Sequence, residues 1–401
     1  MPVTGLVAPG PLVAMQTPAL PVTRAEPPAA NAPCFDGARL HDTRLALDPS
    51  AWQALRDGYM TNQYFAADLW VDGTAMPQVG IRSRGGGTRN ATKPGLKVDL
   101  DHYVSSQSLH GYGSLVLDNL WGGPSCLRER LAFAVFEAMG FPTPRNAFTR
   151  LTVNDEYWGL YALVEPVARP FLSRALGQRD GQLFEYEWAF EWDFSWRGPD
   201  ASAYVPVPFK PEWNEADPRV GDDVLALVRA ANESADDALP GEIAPLLDAD
   251  RLLQYVAVEN AIAEADGFLG EFGMNNFYLY QPAAGGRFVL VPWDKDASFV
   301  SPSWPLERHL DANVLVRRLV AAPARMALYE DTVLRAVRDY VNPRWLGPRC
   351  DAAWEQVRDA ALSDPMKPWT NPEVEAAVAA LRHVIASREA DVCAQARGAR
   401  P

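Results

Sequence analysis

Lysine is nearly missing from this chain. Of its 37 basic residues only Lys93, Lys97, Lys210, Lys295 and Lys367 are lysines, and arginine supplies the rest. Each retained lysine therefore invites inspection. Positive charge as a whole is short: 51 acidic residues leave a formal net charge of -14. That balance argues against a nucleic-acid binder, which needs a basic footprint. It suits a basic protein or peptide partner, and equally plain solubility. Cysteine is sparse, with Cys34, Cys126, Cys350 and Cys393 in no metal-ligand or redox spacing. Cys350 and Cys393 flank helical patterns near the C-terminus and either pair or stay free. No run approaches the ~18 apolar residues of a membrane-spanning helix. Residues 1–33 lack the charged start of a signal peptide. Rich in Ala, Pro and Val, they read as a disordered leader, compatible with a trimmed export signal.

What remains is ample for a large core: 401 residues, 48% hydrophobic, with 13 Trp. The length fits two or three lobes, or one large two-lobed enzyme. "ARLHDTRLAL" from residue 38 alternates as a strand, and "DPSAWQAL" follows as a short helix capped by Asp48 or Ser50. Two strands then meet at Asp72-Gly73, a favourable hairpin turn. "GLKVDL" is a further strand. "PSCLRERLAFAVFEAMG" predicts an amphipathic helix, capped by Ser125 and stopped by Gly140. A second hairpin turns at Asn154-Asp155. From about residue 220 the apolar spacing becomes helical, interrupted by a short hairpin of "NFYLYQP" and "GRFVLVPWD". The prediction is an α+β, protein-kinase-like two-lobed fold. It has a leader at 1–33, a β-rich N-lobe at 34–170, and a mainly helical C-lobe at 171–401 that holds a metal-binding hairpin.

Three segments hold candidate chemistry. In the first, Gly85, Gly86 and Gly87 end a strand, with Lys93 and Lys97 close behind. Glycines let backbone N–H groups approach phosphate oxygens, and lysine neutralises their charge. The bland alternative is a flexible turn with solvated lysines. In the second, Asp266 follows the helix expected at 251–265, with Asn275 and Asn276 beyond it. A carboxylate there can orient a substrate hydroxyl, and an amide oxygen can bind a metal. The alternative is an Asp-Gly turn with strand-edge asparagines. In the third, Asp294 and Asp296 flank Lys295 after an apolar strand, a usual position for a Mg2+ ligand. The alternative is an acidic turn neutralised by Lys295. A glycine-rich cover, a lysine, a catalytic Asp, an Asn and a metal-binding Asp appear in the order that kinase-type phosphoryl transfer uses.

"VGIRSRGGG", "KPGLKVDL", "LRERLAFAVFEAMGFPTPRNAFTRLTVNDEYWGLYALVEPV", "ADGFLGEFGMNNFYLY" and "GRFVLVPWDKDASF" resemble successive blocks of the spore-coat protein H (CotH) kinase family. The likeness covers roughly residues 39–300. It implies an atypical, secreted or spore-associated kinase that uses ATP and Mg2+ or Mn2+ to phosphorylate Ser or Thr of a protein partner. By resemblance, Asp266 takes the catalytic position, with Glu271 as alternative because it stands nearer Asn276. Asn276 and Asp294 take the metal positions. Either Lys93 or Lys97 holds phosphates, and Glu129 is placed where a lysine-pairing glutamate belongs. Glu165 falls where the lobes join and either faces the nucleotide or caps a turn. Arg84 stands before the glycines where many members carry Lys. The competing expectations are a non-catalytic surface scaffold and a metal-dependent phosphoesterase.

Overall fold

The computed structural model describes residues 32–283 and 286–398. The leader expected at 1–33 lies outside the described residues except for its end, where Ala32 is buried and Pro33 opens a short 3-10 turn.

The strands β1 (Leu40–Ala46), β2 (Phe65–Val71), β3 (Thr74–Arg84), β4 (Gly95–Asp99), β5 (Ser114–Asp118), β6 (Asn146–Val153) and β7 (Glu156–Val164) form a closed barrel in the order β1-β2-β3-β4-β5-β7-β6. Both expected hairpin turns are present. Asp72 and Gly73 have φ 48° and 82°, and Asn154 and Asp155 have φ 49° and 67°, the left-handed pairs that match strand twist. Closure comes from the parallel pairing of β1 with β6. It leaves no open sheet edge in the barrel. Strand alternation sends Ile81, Leu96, Val98, Leu115, Leu117 and Leu163 into the barrel interior. Burial of each such side chain contributes about 1.5–3 kcal/mol. The same alternation puts Arg82, Arg84 and Lys97 on the outer face.

A second, antiparallel sheet has the order β11-β10-β8-β9. It comprises β8 (Gly181–Tyr186), β9 (Phe209–Pro211), β10 (Phe277–Pro282) and β11 (Val289–Pro292). The helices are α1 (Pro49–Asp57), α2 (Arg128–Ala138), α3 (Arg169–Leu176), α4 (Asp222–Glu233), α5 (Leu239–Ile243), α6 (Ala249–Ala261), α7 (Val314–Val320), α8 (Pro323–Asp339), α9 (Leu346–Leu362) and α10 (Asn371–Gly398). The class is mixed α+β. One apolar cluster joins α2, the outer side of β6 and β7, the second sheet and the later helices, and so runs across residue 170. None of the described helices is long and apolar enough to cross a membrane.

Helix ends follow local chemistry. Asp48 caps α1 by accepting from Ser50 N at 2.7 Å, and Gly140, at φ 79°, follows α2 as expected. Ser125 does not cap α2. Cys126 adopts φ 61°, which delays the helix to Arg128 behind an uncapped Leu127. Likewise α6 ends at Ala261 rather than 265, since Ala263 turns left-handed at φ 52°. All four cysteines are free, so Cys350 and Cys393 do not pair.

Candidate active site

The β3–β4 hairpin supplies a cationic wall. Lys97 stands opposite Arg82, and Arg84 opposite Gly95. The guanidinium of Arg84 lies 5.7 Å from the Trp293 ring centroid, and its charge acts on Asp294 and Glu129. Gly85, Gly86 and Gly87 form the exposed turn beyond β3. A side chain at Gly86 or Gly87 would meet nothing within 4 Å, so this backbone is open to approach.

The segment after α6 carries the expected acid. Asp266 is half-buried, and both its carboxylate oxygens are held by amides. Asn275 Nδ2 donates to each at 3.1 Å, and Asn276 Nδ2 donates to Oδ2 at 2.9 Å and to the Asp266 carbonyl at 2.8 Å. With its NH2 so engaged, Asn276 keeps Oδ1 free of any donor among the described residues. The structure brings Asp266, not Glu271, against Asn276. Glu271 instead pairs with Arg308.

Antiparallel pairing of Phe277 with Pro292 places Asn276, before β10, and Asp294, after β11, at the same end of the hairpin. Both adopt left-handed backbone, with φ 58° and 47°. Asn and Asp tolerate that region better than other side chains. Strained backbone of this kind gathers at functional sites.

Lys295 fastens the two segments. Its buried ammonium donates to the Asn276 carbonyl at 2.8 Å and pairs with Glu259 of α6 at 2.9 Å. Burial opposes that charge, but Glu259 and Glu264 outweigh it and raise the lysine pKa. Glu264 in turn accepts from Asp266 N at 2.8 Å and Ser298 Oγ at 2.6 Å. The acidic turn is thus not neutralised internally, since Lys295 is turned toward Glu259 and away from a bond with Asp294 or Asp296.

The carboxylates left over repel one another. Burial, then Asp118, pushes Asp294 up to about 6, with Arg84 opposing. Burial, Asp294 and Asp118 hold Asp296 well above the usual range. Glu129 is raised well above it by burial, Asp294 and Asp118. Such mutual repulsion is what a divalent cation relieves. Among the described residues, no three His, Cys, Asp or Glu groups are gathered to chelate an ion by themselves. Asp294 and the free Oδ1 of Asn276 supply two hard oxygen donors, which suits Mg2+, an ion that keeps positions for water and phosphate.

Two residues expected at the nucleotide are instead bonded to protein groups. Lys93 is buried, its ammonium bonded to Asp364 Oδ2 at 2.7 Å and the Leu160 carbonyl at 2.8 Å, beneath Tyr161. Glu165 is fully buried and accepts from Tyr112, Arg145 and Arg174. Burial alone would raise its pKa, but Arg174 and Arg145 outweigh it and hold the carboxyl low. Glu129, expected to pair with a lysine, instead accepts from Asn146 Nδ2 at 2.7 Å and faces carboxylates and Arg84.

Sequence reading did not single out Asp118, Glu259 or Glu264. Asp118 ends β5, which showed no distinct pattern, and the following loop closes over the site. A Cβ on Gly122 would lie 1.6 Å from Asp296 Oδ2. The two glutamates sit in or just after α6 and are buried, which the helical apolar spacing alone does not signal.

The family model described as "CotH kinase protein" matches residues 81–392, which include the glycine turn, Asp266, Asn276 and Asp294. The chain is also similar to inner spore coat protein H of Bacillus subtilis (strain 168). The two are 22% identical over 303 residues, which span 72% of this chain and 79% of that protein. The order of motifs, their meeting at one hairpin end and the extent of the match agree: this chain belongs to the CotH kinase protein family.

Proposed function

We propose that this chain is an ATP- and divalent-metal-dependent phosphotransferase that acts on Ser or Thr hydroxyls of a protein acceptor. The observation that carries the reading is the joining of Asp266 to Asn276 beside Asp294, at the end of one hairpin. We read the barrel with its glycine turn as the upper lobe of a kinase-like arrangement and the helical remainder as the lower. Arg84 and Lys97, on one face of the β3–β4 hairpin, neutralise phosphate oxygens. Backbone N–H groups of Gly85, Gly86 and Gly87 cover them. Asp294 and Asn276 hold the metal, with Glu129 and Asp118 adding negative field. Bound Mg2+ or Mn2+ would supply positive charge against the negative charge of the transferring phosphoryl and leaving oxygens. Asp266, immobilised by two amides, accepts a hydrogen bond from the acceptor hydroxyl and orients it.

The scaffold reading would follow from loss of one of these groups, and each is present. The B. subtilis relative is named for the inner spore coat; we extend spore association to this chain as part of the proposal.

Two variants separate binding from chemistry. Asp266→Asn is expected to keep the thermal stabilisation given by ATP with Mn2+ while transfer falls by about 10²–10⁴, the usual contribution of a positioned acid–base group. Asp294→Ala is expected to lose both. Full transfer by Asp266→Asn removes Asp266 from the mechanism.

A further inference from the structure

The lip of the site holds two large aromatic side chains in water: Trp188 is 49% exposed and Phe272 63%. Trp188 follows β8. Phe272 belongs to the loop between Asp266 and Asn276. They are fastened together, since Trp188 Nε1 donates to the Phe272 carbonyl at 2.8 Å. The loop beneath is pinned. Glu271 N donates to Ala265 O at 2.8 Å, and Asn275 N to Gly267 O at 3.0 Å. Gly273, at φ 89°, approaches the chain so closely that a Cβ would stand 3.0 Å from Trp192 N and 3.3 Å from Glu191 Cα. Phe268 and Met274 of the same loop are buried. The exposure of Phe272 is thus a property of an ordered loop.

The surroundings are acidic apart from Arg197, whose guanidinium lies 4.2 Å from the Phe190 ring centroid. Residues 185–193 contain Glu185, Glu187, Glu191 and Asp193 and no basic residue. Lys210 pairs with Glu185 and Glu187, and Arg308 with Glu271. Glu191 is exposed and has no ion-pair partner among the described residues. Exposed apolar surface rimmed by polar groups marks an interaction site, and an exposed indole three residues from an unpaired carboxylate suits a guanidinium or ammonium group.

We infer that the Trp188–Phe272 lip docks an extended segment of the acceptor protein. A cationic side chain lies over Trp188 within the field of Glu191, and an apolar neighbour lies on Phe272. The word acceptor rests on the phosphotransferase reading; the surface itself does not.

The test uses the full chain and short fluorescein-labelled Ser peptides. One carries Arg before the Ser and Leu after it; the others replace Arg by Glu or Leu by Gly. Anisotropy is expected to show binding of the Arg–Leu peptide, weakened about tenfold or more by Trp188→Ala or Phe272→Ala, as for aromatic anchors of interfaces. Glu191→Gln is expected to weaken binding and flatten its salt dependence. All three variants should keep the stabilisation by ATP with Mn2+. Equal binding of the Arg→Glu peptide, unchanged binding by the double aromatic variant, or no binding of any peptide to wild type overturns the inference. So does a wild-type dimer that Trp188→Ala converts to monomer, which would make the lip a self-interface. Peptide binding without label transfer from ATP leaves the docking surface standing and removes the kinase reading. Transfer with a KM for peptide untouched by Trp188→Ala does the reverse.

Discussion

Lys93 and Lys97 stand four residues apart in a chain with few lysines, yet their surroundings give them different work. The Lys93 ammonium is enclosed with Asp364, both side chains at most 4% exposed. Removing one partner of such a buried pair strands the other charge, at a cost of about 3–5 kcal/mol. Lys93→Met is therefore expected to lower stability by that amount in urea unfolding. Lys97→Met, at a half-buried outer position, should leave stability within about 1 kcal/mol and raise the KM for ATP. The opposite pattern would return the phosphate role to Lys93. Lys295→Met also leaves a buried partner, Glu259, and removes the donor that holds the Asn276 carbonyl. It is expected to cost about 3–5 kcal/mol and to weaken stabilisation by Mn2+, both read from thermal melts. Scarcity made every lysine conspicuous in the sequence. It did not distinguish an enclosed lysine from one on a binding face, because that depends on Asp364, far away in the chain.

Elements were legible where the signal is local. The turns Asp72-Gly73 and Asn154-Asp155, the Asp48 cap and the two strands around residue 285 follow from side-chain chemistry within a few residues. Barrel closure does not: it needs β1 beside β6, a pairing such as Leu40 with Phe148 that no local pattern announces. Strand β9 has only three residues, Phe209–Pro211, and ends on a proline, so neither length nor alternation reveals it. The order Asp266, Asn276, Asp294 was readable, but their meeting depends on the register of β10 with β11. Asp118 stayed hidden because it reaches the site from the end of β5, far in sequence from Asp266, Asn276 and Asp294. The Gly122 loop after it gives an element-scale test. Gly122→Ala would place a methyl group on Asp296, so the loop or the carboxylate must shift. Reduced stabilisation by Mn2+ is expected, with far-UV circular dichroism unchanged; unaltered metal response would show that Asp296 is free to move without consequence.

At the scale of the whole molecule, the chain is strongly acidic and concentrates part of that charge inside one cleft. Asp294 is pushed from an ordinary 3.8 up to about 6, and Asp296 and Glu129 are raised well above their ordinary values. The folded state therefore keeps protons that the unfolded chain has released. Stability contributed by the protonated forms is present below the unfolded values and is lost as pH rises toward the folded ones. Without metal, the melting temperature is expected to be higher near pH 5 than near pH 7.5. Added Mn2+ should stabilise more at the higher pH, where the carboxylates are ionised. A metal-free melting temperature that rises across this interval would contradict the electrostatic description of the cleft.

Transfer of the γ-phosphate separates a kinase from a scaffold. The wild-type chain and Asp294→Ala are incubated with γ-labelled ATP and Mn2+ or Mg2+, with and without a basic Ser-containing acceptor. Label on protein is expected for the wild type, abolished by chelation and lost in Asp294→Ala. Label transfer that persists in Asp294→Ala, or that needs no metal, would remove Asp294 and its metal from the reaction.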